Sequence, residues 1–109
     1  MDYDDFYSLS EYASKFSHES YKLITHWFSQ VSVISRIEMF EKKNGNELFR
    51  ESILPLYLEK IDNDELLDIE DTVNALSIES IFIEDGEVFA HRDIYYDFVG
   101  YLMLKGIVR

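Results

Sequence analysis

Apolar residues recur at helical spacing through most of the chain, and the period shortens to two only towards the carboxyl end. Over residues 3–16, Phe6, Leu9, Tyr12 (or Ala13) and Phe16 fall three or four apart, which predicts a short amphipathic helix. A second apolar stripe, Ile24, Trp27, Phe28, Val31 and Ile34, predicts a helix from about residue 20 to Lys43, stopped by Asn44-Gly45. Ser17 or Ser20 is its expected cap, and Glu19 suits a first turn. Within this stretch Val31, Val33, Ile37 and Met39 also alternate as they would in a strand, so 31–39 carries a strand alternative. No turn signal lies between Ser20 and Lys43, which favours the helix.

Asn46 opens a third stretch, with Phe49, Ile53, Leu56 and Tyr57 expected to face inward. Pro55 lies inside it. Either the helix kinks there, or Ser52 caps a new helix whose first turn tolerates the proline. The next helix is expected over Asp64–Leu76, capped by Asn63, with Leu66, Ile69, Val73 and Leu76 as its buried face.

Near residues 80–90 the pattern changes. Ile81-Phe82-Ile83 and Val88-Phe89-Ala90 flank Glu84-Asp85-Gly86-Glu87, and Asp-Gly is a strong two-residue hairpin signal. That register sets Phe82 opposite Phe89 and Glu84 opposite Glu87. Two strands alone are marginal in water, so helices are expected over one face. Asp93 is the expected cap of a last helix carrying Ile94, Phe98, Tyr101 and Leu102, ended by Gly106. The fold class these elements imply is α+β: predominantly helical, about five helices, with one β-hairpin packed on them. At 109 residues one globular domain spanning 1–109 is expected.

Composition supports a folded chain. Apolar residues make up 47% and aromatics 16%, far above the content of a disordered acidic tail. Cysteine is absent, which removes disulfides, thiolate metal sites and cysteine nucleophiles. The start, Met1-Asp2-Tyr3-Asp4-Asp5, is acidic and does not read as a signal peptide. No apolar run approaches the roughly 18 residues of a membrane span. A soluble cytoplasmic protein is expected.

Charge is the most unevenly distributed property of the chain. Glu59–Asp97 holds thirteen Asp and Glu against Lys60 and Arg92, so this stretch carries −11 of the chain's net −12. Seven of those carboxylates fall within Glu59–Asp71. A field of that sign attracts cationic surfaces and repels nucleic acid and anionic lipid. If 64–76 is helical, Asp64, Asp68 and Asp71 lie within about 60° of one another, opposite the Leu66/Ile69/Val73/Leu76 face. Like charges three and four apart disfavour that helix by roughly 0.2–0.5 kcal/mol per pair. The face is either a solvated one that happens to be acidic, or one whose repulsion a basic partner relieves.

Candidate chemistry is sparse. Asp62-Asn63-Asp64 begins like a calcium loop, but Leu66 stands at the next ligand position and the required glycine is missing. None of His18, His26 and His91 sits in a recognised nucleophile setting. His91-Arg92-Asp93 spells the start of a kinase catalytic loop, yet neither the rest of that motif nor a phosphate-cradling glycine loop is present, and it reads as a strand exit followed by a cap. Lys42-Lys43 is the one adjacent basic pair, so direct nucleic-acid binding is not expected. No catalytic residue, metal or cofactor is assigned.

The expected function is therefore binding. A small acidic inhibitor or immunity protein would neutralise a basic partner, and the expected partner is a nuclease toxin whose cleft is positive for phosphate. Its expected contacts are Asp62, Asp64, Glu65, Asp68, Asp71, Glu84, Asp85 and Glu87, with Tyr95 and Tyr96 as an aromatic rim. A nucleic-acid mimic aimed at a host defence complex is a close variant. A non-catalytic adaptor that forms a homodimer through its aromatic helices is the reading of a different class.

Overall fold

The computed structural model describes residues 3–107. Among these residues six α-helices and a three-stranded antiparallel sheet make a mostly helical α+β fold. The helices are α1 (Leu9–Ser14), α2 (Ser20–Phe28), α3 (Val31–Lys43), α4 (Leu54–Asp62), α5 (Ile69–Leu76) and α6 (Arg92–Leu104). The strands are β1 (Phe6–Ser8), β2 (Ile81–Glu84) and β3 (Glu87–His91), in the order β1-β3-β2. Among the described residues no helix is long and apolar enough to cross a membrane.

The hairpin has the register its sequence implies, with Phe82 opposite Phe89 and Glu84 opposite Glu87. Asp85 and Gly86 both take positive φ, +52° and +77°, the geometry of a turn whose twist matches its strands. The third strand is new. Residues 3–16 do not form one helix: Tyr3–Asp5 make a 3-10 turn, and β1 pairs with β3 through Phe6–His91, Tyr7–Ala90 and Ser8–Phe89. Ser8 then ends the strand and caps α1, its hydroxyl accepting the N–H of Glu11 at 2.9 Å. Pairing across more than eighty positions of sequence supplies hydrogen bonds that local spacing does not reveal.

The stretch expected as one helix over 20–43 is two, α2 and α3, and the strand alternative for 31–39 falls. Ser29 and Gln30 leave the helical conformation, and the Gln30 side chain donates to the Trp27 carbonyl at 3.0 Å. The bend lets α3 turn its own apolar face, Val33, Ile34, Ile37 and Phe40, to the core, and it leaves Val31 exposed. Neither Ser17 nor Ser20 caps α2; Glu19 holds that position without a side-chain bond. Asn44-Gly45 does stop α3, with Gly45 at φ +70°.

Of the two readings of Pro55, the second is nearer: a new helix, α4, begins at Leu54 with the proline in its first turn. Ile53, not Ser52, precedes it. Leu54 and Tyr57 are its buried residues, and Leu56, expected inside, is 60% exposed. The last helix starts directly after β3. His91, not Asp93, is its cap, with Nδ1 accepting the Asp93 N–H at 3.2 Å. Ile94, Phe98 and Leu102 enter the core while Tyr101 is half-buried, and Gly106 ends the helix.

The core is built around Trp27, Phe28 and Phe98, with Leu9, Ile24, Ile37, Leu76, Ile81 and Val88. Trp27 and Phe98 meet edge to face at 5.3 Å. The Trp27 indole N–H donates to Asp97 at 2.9 Å, and Arg36 closes on the same carboxylate at 2.8 Å. Glu41 lies inside this framework at 1% exposure. Its carboxylate accepts the backbone N–H groups of Glu79 and Ser80 at 2.9 Å and the Asn46 side-chain amide at 2.7 Å. A buried charge is tolerated only when its lone pairs are engaged, and these three donors tie α3 to the entry of β2.

Candidate functional site

The acidic stretch is not the helical face its spacing suggested. Helix α4 ends at Asp62, and Asn63, expected as the cap of the next helix, instead closes this one. Asp64 takes the left-handed conformation, φ +61°, so its N–H bonds the Ile61 carbonyl at 2.9 Å and the Glu65 N–H bonds that of Lys60 at 3.0 Å. This pair of reversed bonds is a Schellman ending, a position that glycine occupies most readily. Residues 64–67 then run as a loop, pinned where Ser29 Oγ accepts the Leu67 N–H at 2.8 Å. Leu67 is buried, and Leu66, expected in the core, is 54% exposed.

Helix α5 begins only at Ile69. Asp68 is its cap and accepts the Asp71 N–H through Oδ1 at 2.9 Å. The expected alignment of Asp64, Asp68 and Asp71 along one helix is therefore corrected. A helix through all three would stack like charges a turn apart; the chain ends one helix and caps the next. Glu70 and Asp71 fall in the first turn of α5, where the helix dipole favours them. Asp62, Asp64 and Glu65 sit at the opposite kind of end, where it does not.

Asp62, Asp64, Glu65, Asp68, Asp71, Glu84 and Asp85 are exposed and Glu87 is half-buried. Among the described residues the Lys and Arg ion pairs are Lys22–Glu19, Arg36–Asp97, Lys42 with Glu38 and Glu51, and Arg92–Asp5. None of them neutralises any of the eight. Lys60, inside the acidic stretch, holds its ammonium over the Tyr57 ring at 5.3 Å.

Tyr21 of α2 joins the two acidic regions. Burial raises its phenol above the ordinary tyrosine range, and the carboxylates of Asp68 and Glu70 raise it further. The same side chain lines a shallow groove of about 520 Å³ with Ser10, Glu11, Ser14, Ser20 and the hairpin tip Asp85-Gly86-Glu87. The tip is held there by the Val88 N–H, which donates to Ser10 Oγ at 2.9 Å. The start of α5 and the hairpin tip thus flank one aromatic ring. Sequence reasoning missed Tyr21 and Glu11: Tyr21, Ile24 and Phe28 follow i, i+3, i+7 spacing, so Tyr21 reads as part of the core stripe, yet it stands 45% exposed at the edge of that stripe.

Asp62, Asp64 and Glu65 lie beyond this groove, at the end of α4. Glu65 lines a neighbouring hollow of about 340 Å³ with Ile53, Leu56, Tyr57, Glu59 and Lys60. Of the two expected rim residues, Tyr96 is exposed and Tyr95 is half-buried between Tyr7, Tyr12 and Tyr96 at ring separations of 5.2–5.7 Å. Burial raises the Tyr95 phenol, with smaller contributions from Tyr12, Tyr96, Glu11 and Tyr7. Glu11 therefore connects this tyrosine cluster to the groove. Among the described residues no three of His, Asp and Glu converge so as to hold a metal ion. What the arrangement offers chemically is unpaired negative charge beside aromatic rings. Comparison with family models, with curated proteins and with solved structures returned no match.

Proposed function

We propose that this chain is a small acidic binding protein that docks on a basic protein and neutralises it in the cytoplasm. The target chemistry that suits it best is the phosphate-binding cleft of a nuclease domain, as in a bacterial toxin paired with its immunity protein. The observation that carries the reading is that, among the described residues, no ion pair engages any of the eight carboxylates, three of which stand where the fold disfavours them. Asp64 adopts a backbone conformation that suits glycine, and it does so with Asp62 and Glu65 at the negative end of the α4 dipole. Charge kept at a cost to the free protein is explained if a bound cationic surface relieves it. Steering by such a field raises association towards 10⁸–10⁹ M⁻¹s⁻¹ at low salt, to order of magnitude.

The experiment is retrieval of the partner with the purified chain as bait, followed by a nucleic-acid cleavage assay on what is retrieved. The proposal expects a basic protein whose cleavage activity stops when the chain is added at equal concentration. A partner retained equally by a variant with all eight carboxylates changed to Asn or Gln, or one without nuclease activity, contradicts it.

A second reading draws on a different observation. Tyr96, Met103 and Leu104 of α6 are exposed together with the half-buried Tyr101, which suits a self-associating adaptor. Sedimentation across a concentration series separates the two, because only the adaptor forms dimers without a partner.

A further inference from the structure

Resting on the reading above, we infer that the solvent face of the hairpin is the seat for an arginine side chain of the basic partner. Strand alternation divides the sheet. Ile81, Val88 and Ala90 are buried on the helix-covered side, while Phe6, Phe82, Phe89 and His91 point the other way and stay half-exposed. Phe82 and Phe89, directly opposite in register, stack with centroids 4.8 Å apart and planes 10° from parallel. Phe6 and Tyr3 extend this surface, each 5.2 Å from Phe82, and Tyr3 is largely open to solvent. His91 closes its base against Phe40 at 4.7 Å.

On the same face, one step towards the tip, Glu84 and Glu87 stand opposite each other. Like charges directly opposite weaken a strand pair, and among the described residues no basic side chain forms an ion pair with either of them. The face thus runs from stacked rings to an unrelieved carboxylate pair. A planar cation fits both halves: it lies flat over the rings and donates its N–H fork to the carboxylates. Guanidinium does this better than ammonium, because it is planar, delocalised and weakly hydrated. The occupant is therefore arginine, carried by a basic protein segment, and Glu84 and Glu87 are the groups that orient it.

The test is an NMR titration of the full chain with an arginine-rich peptide and with its lysine counterpart of equal length. The inference expects amide shifts at Phe82, Glu84, Glu87 and Phe89. It also expects the arginine peptide to bind at least about threefold tighter than the lysine peptide. Phe82→Leu with Phe89→Leu should weaken the arginine peptide about tenfold while abolishing its advantage over lysine. Glu84→Gln with Glu87→Gln, which removes repulsion and leaves the core untouched, should weaken both peptides. Equal affinity for the two peptides, or shifts confined to Asp62–Asp71, overturns the arginine seat and leaves the acidic docking surface standing. Absence of any shift at either acidic region overturns both.

Discussion

Asp68 accepts the backbone N–H of Asp71 at 2.9 Å, and with that bond a residue expected on the outer face of a helix becomes the cap that starts one. The bond gives Asp68 two separable properties, a hydrogen-bond acceptor and a charge. Asp68→Ala should lower stability by about 1 kcal/mol, the usual cost of losing such a cap. Asp68→Asn should retain most of the stability, because the amide oxygen still accepts. Urea unfolding followed by the fluorescence of Trp27, the chain's single tryptophan, measures both.

Asp64 allows a sharper separation. At φ +61° a glycine avoids the steric penalty, and its neutrality also relieves the C-terminal end of α4. Asp64→Gly should therefore stabilise the chain by about 0.5–1 kcal/mol while weakening its hold on the basic partner. Opposite signs in unfolding midpoint and partner affinity are the expected pair of results. A loss of stability would show that Asp64 has a supporting contact in the free protein.

Tyr21 reports the field between the two acidic regions. Its phenol is raised first by burial and then by Asp68 and Glu70. A tyrosine with a raised folded value contributes stability that is complete below its unfolded value and is lost as pH rises through the folded one. Asp68→Asn with Glu70→Gln should move the Tyr21 titration downward but leave it above the unfolded value, since burial persists. NMR titration of the Tyr21 ring carbon reads this directly, and an unmoved midpoint would place the carboxylates elsewhere.

Glu41 tests the framework that presents the site. Glu41→Ala strands the N–H groups of Glu79 and Ser80 and leaves the Asn46 amide with only its bond to the Ser77 carbonyl, and should cost roughly 3 kcal/mol or more. Glu41→Gln keeps the shape but turns one donor towards another, for roughly 1–3 kcal/mol. Hydrogen exchange at Ser80 should accelerate in both.

What was legible in the sequence was what local chemistry alone decides. Asp85-Gly86 specifies its turn through two positive φ angles, and the flanking alternation then fixes the register of Phe82 and Phe89. Gly45 and Gly106 stop helices for the same reason. What was hidden depends on distant partners. β1 is three residues long and exists because β3 offers it an edge. Glu41 stands between Phe40 and Lys42 like any surface glutamate until the strand entry folds over it. The acidic stretch failed in a third way: Leu66, Ile69, Val73 and Leu76 have helical spacing, but Asp68 competes for the backbone and Leu67 enters the core. The eight carboxylates were nameable from composition, whereas Tyr21, which sits between their two groups, was not.

If a basic partner completes the negative charge of this surface, association with the retrieved partner must depend on salt. For the native chain the association rate should fall steeply as salt rises from low to physiological concentration, where the screening length shortens to about 8 Å. The variant with all eight carboxylates neutralised should associate slowly at every salt concentration and remain folded. A rate insensitive to salt, or equal for the two proteins, would contradict the account.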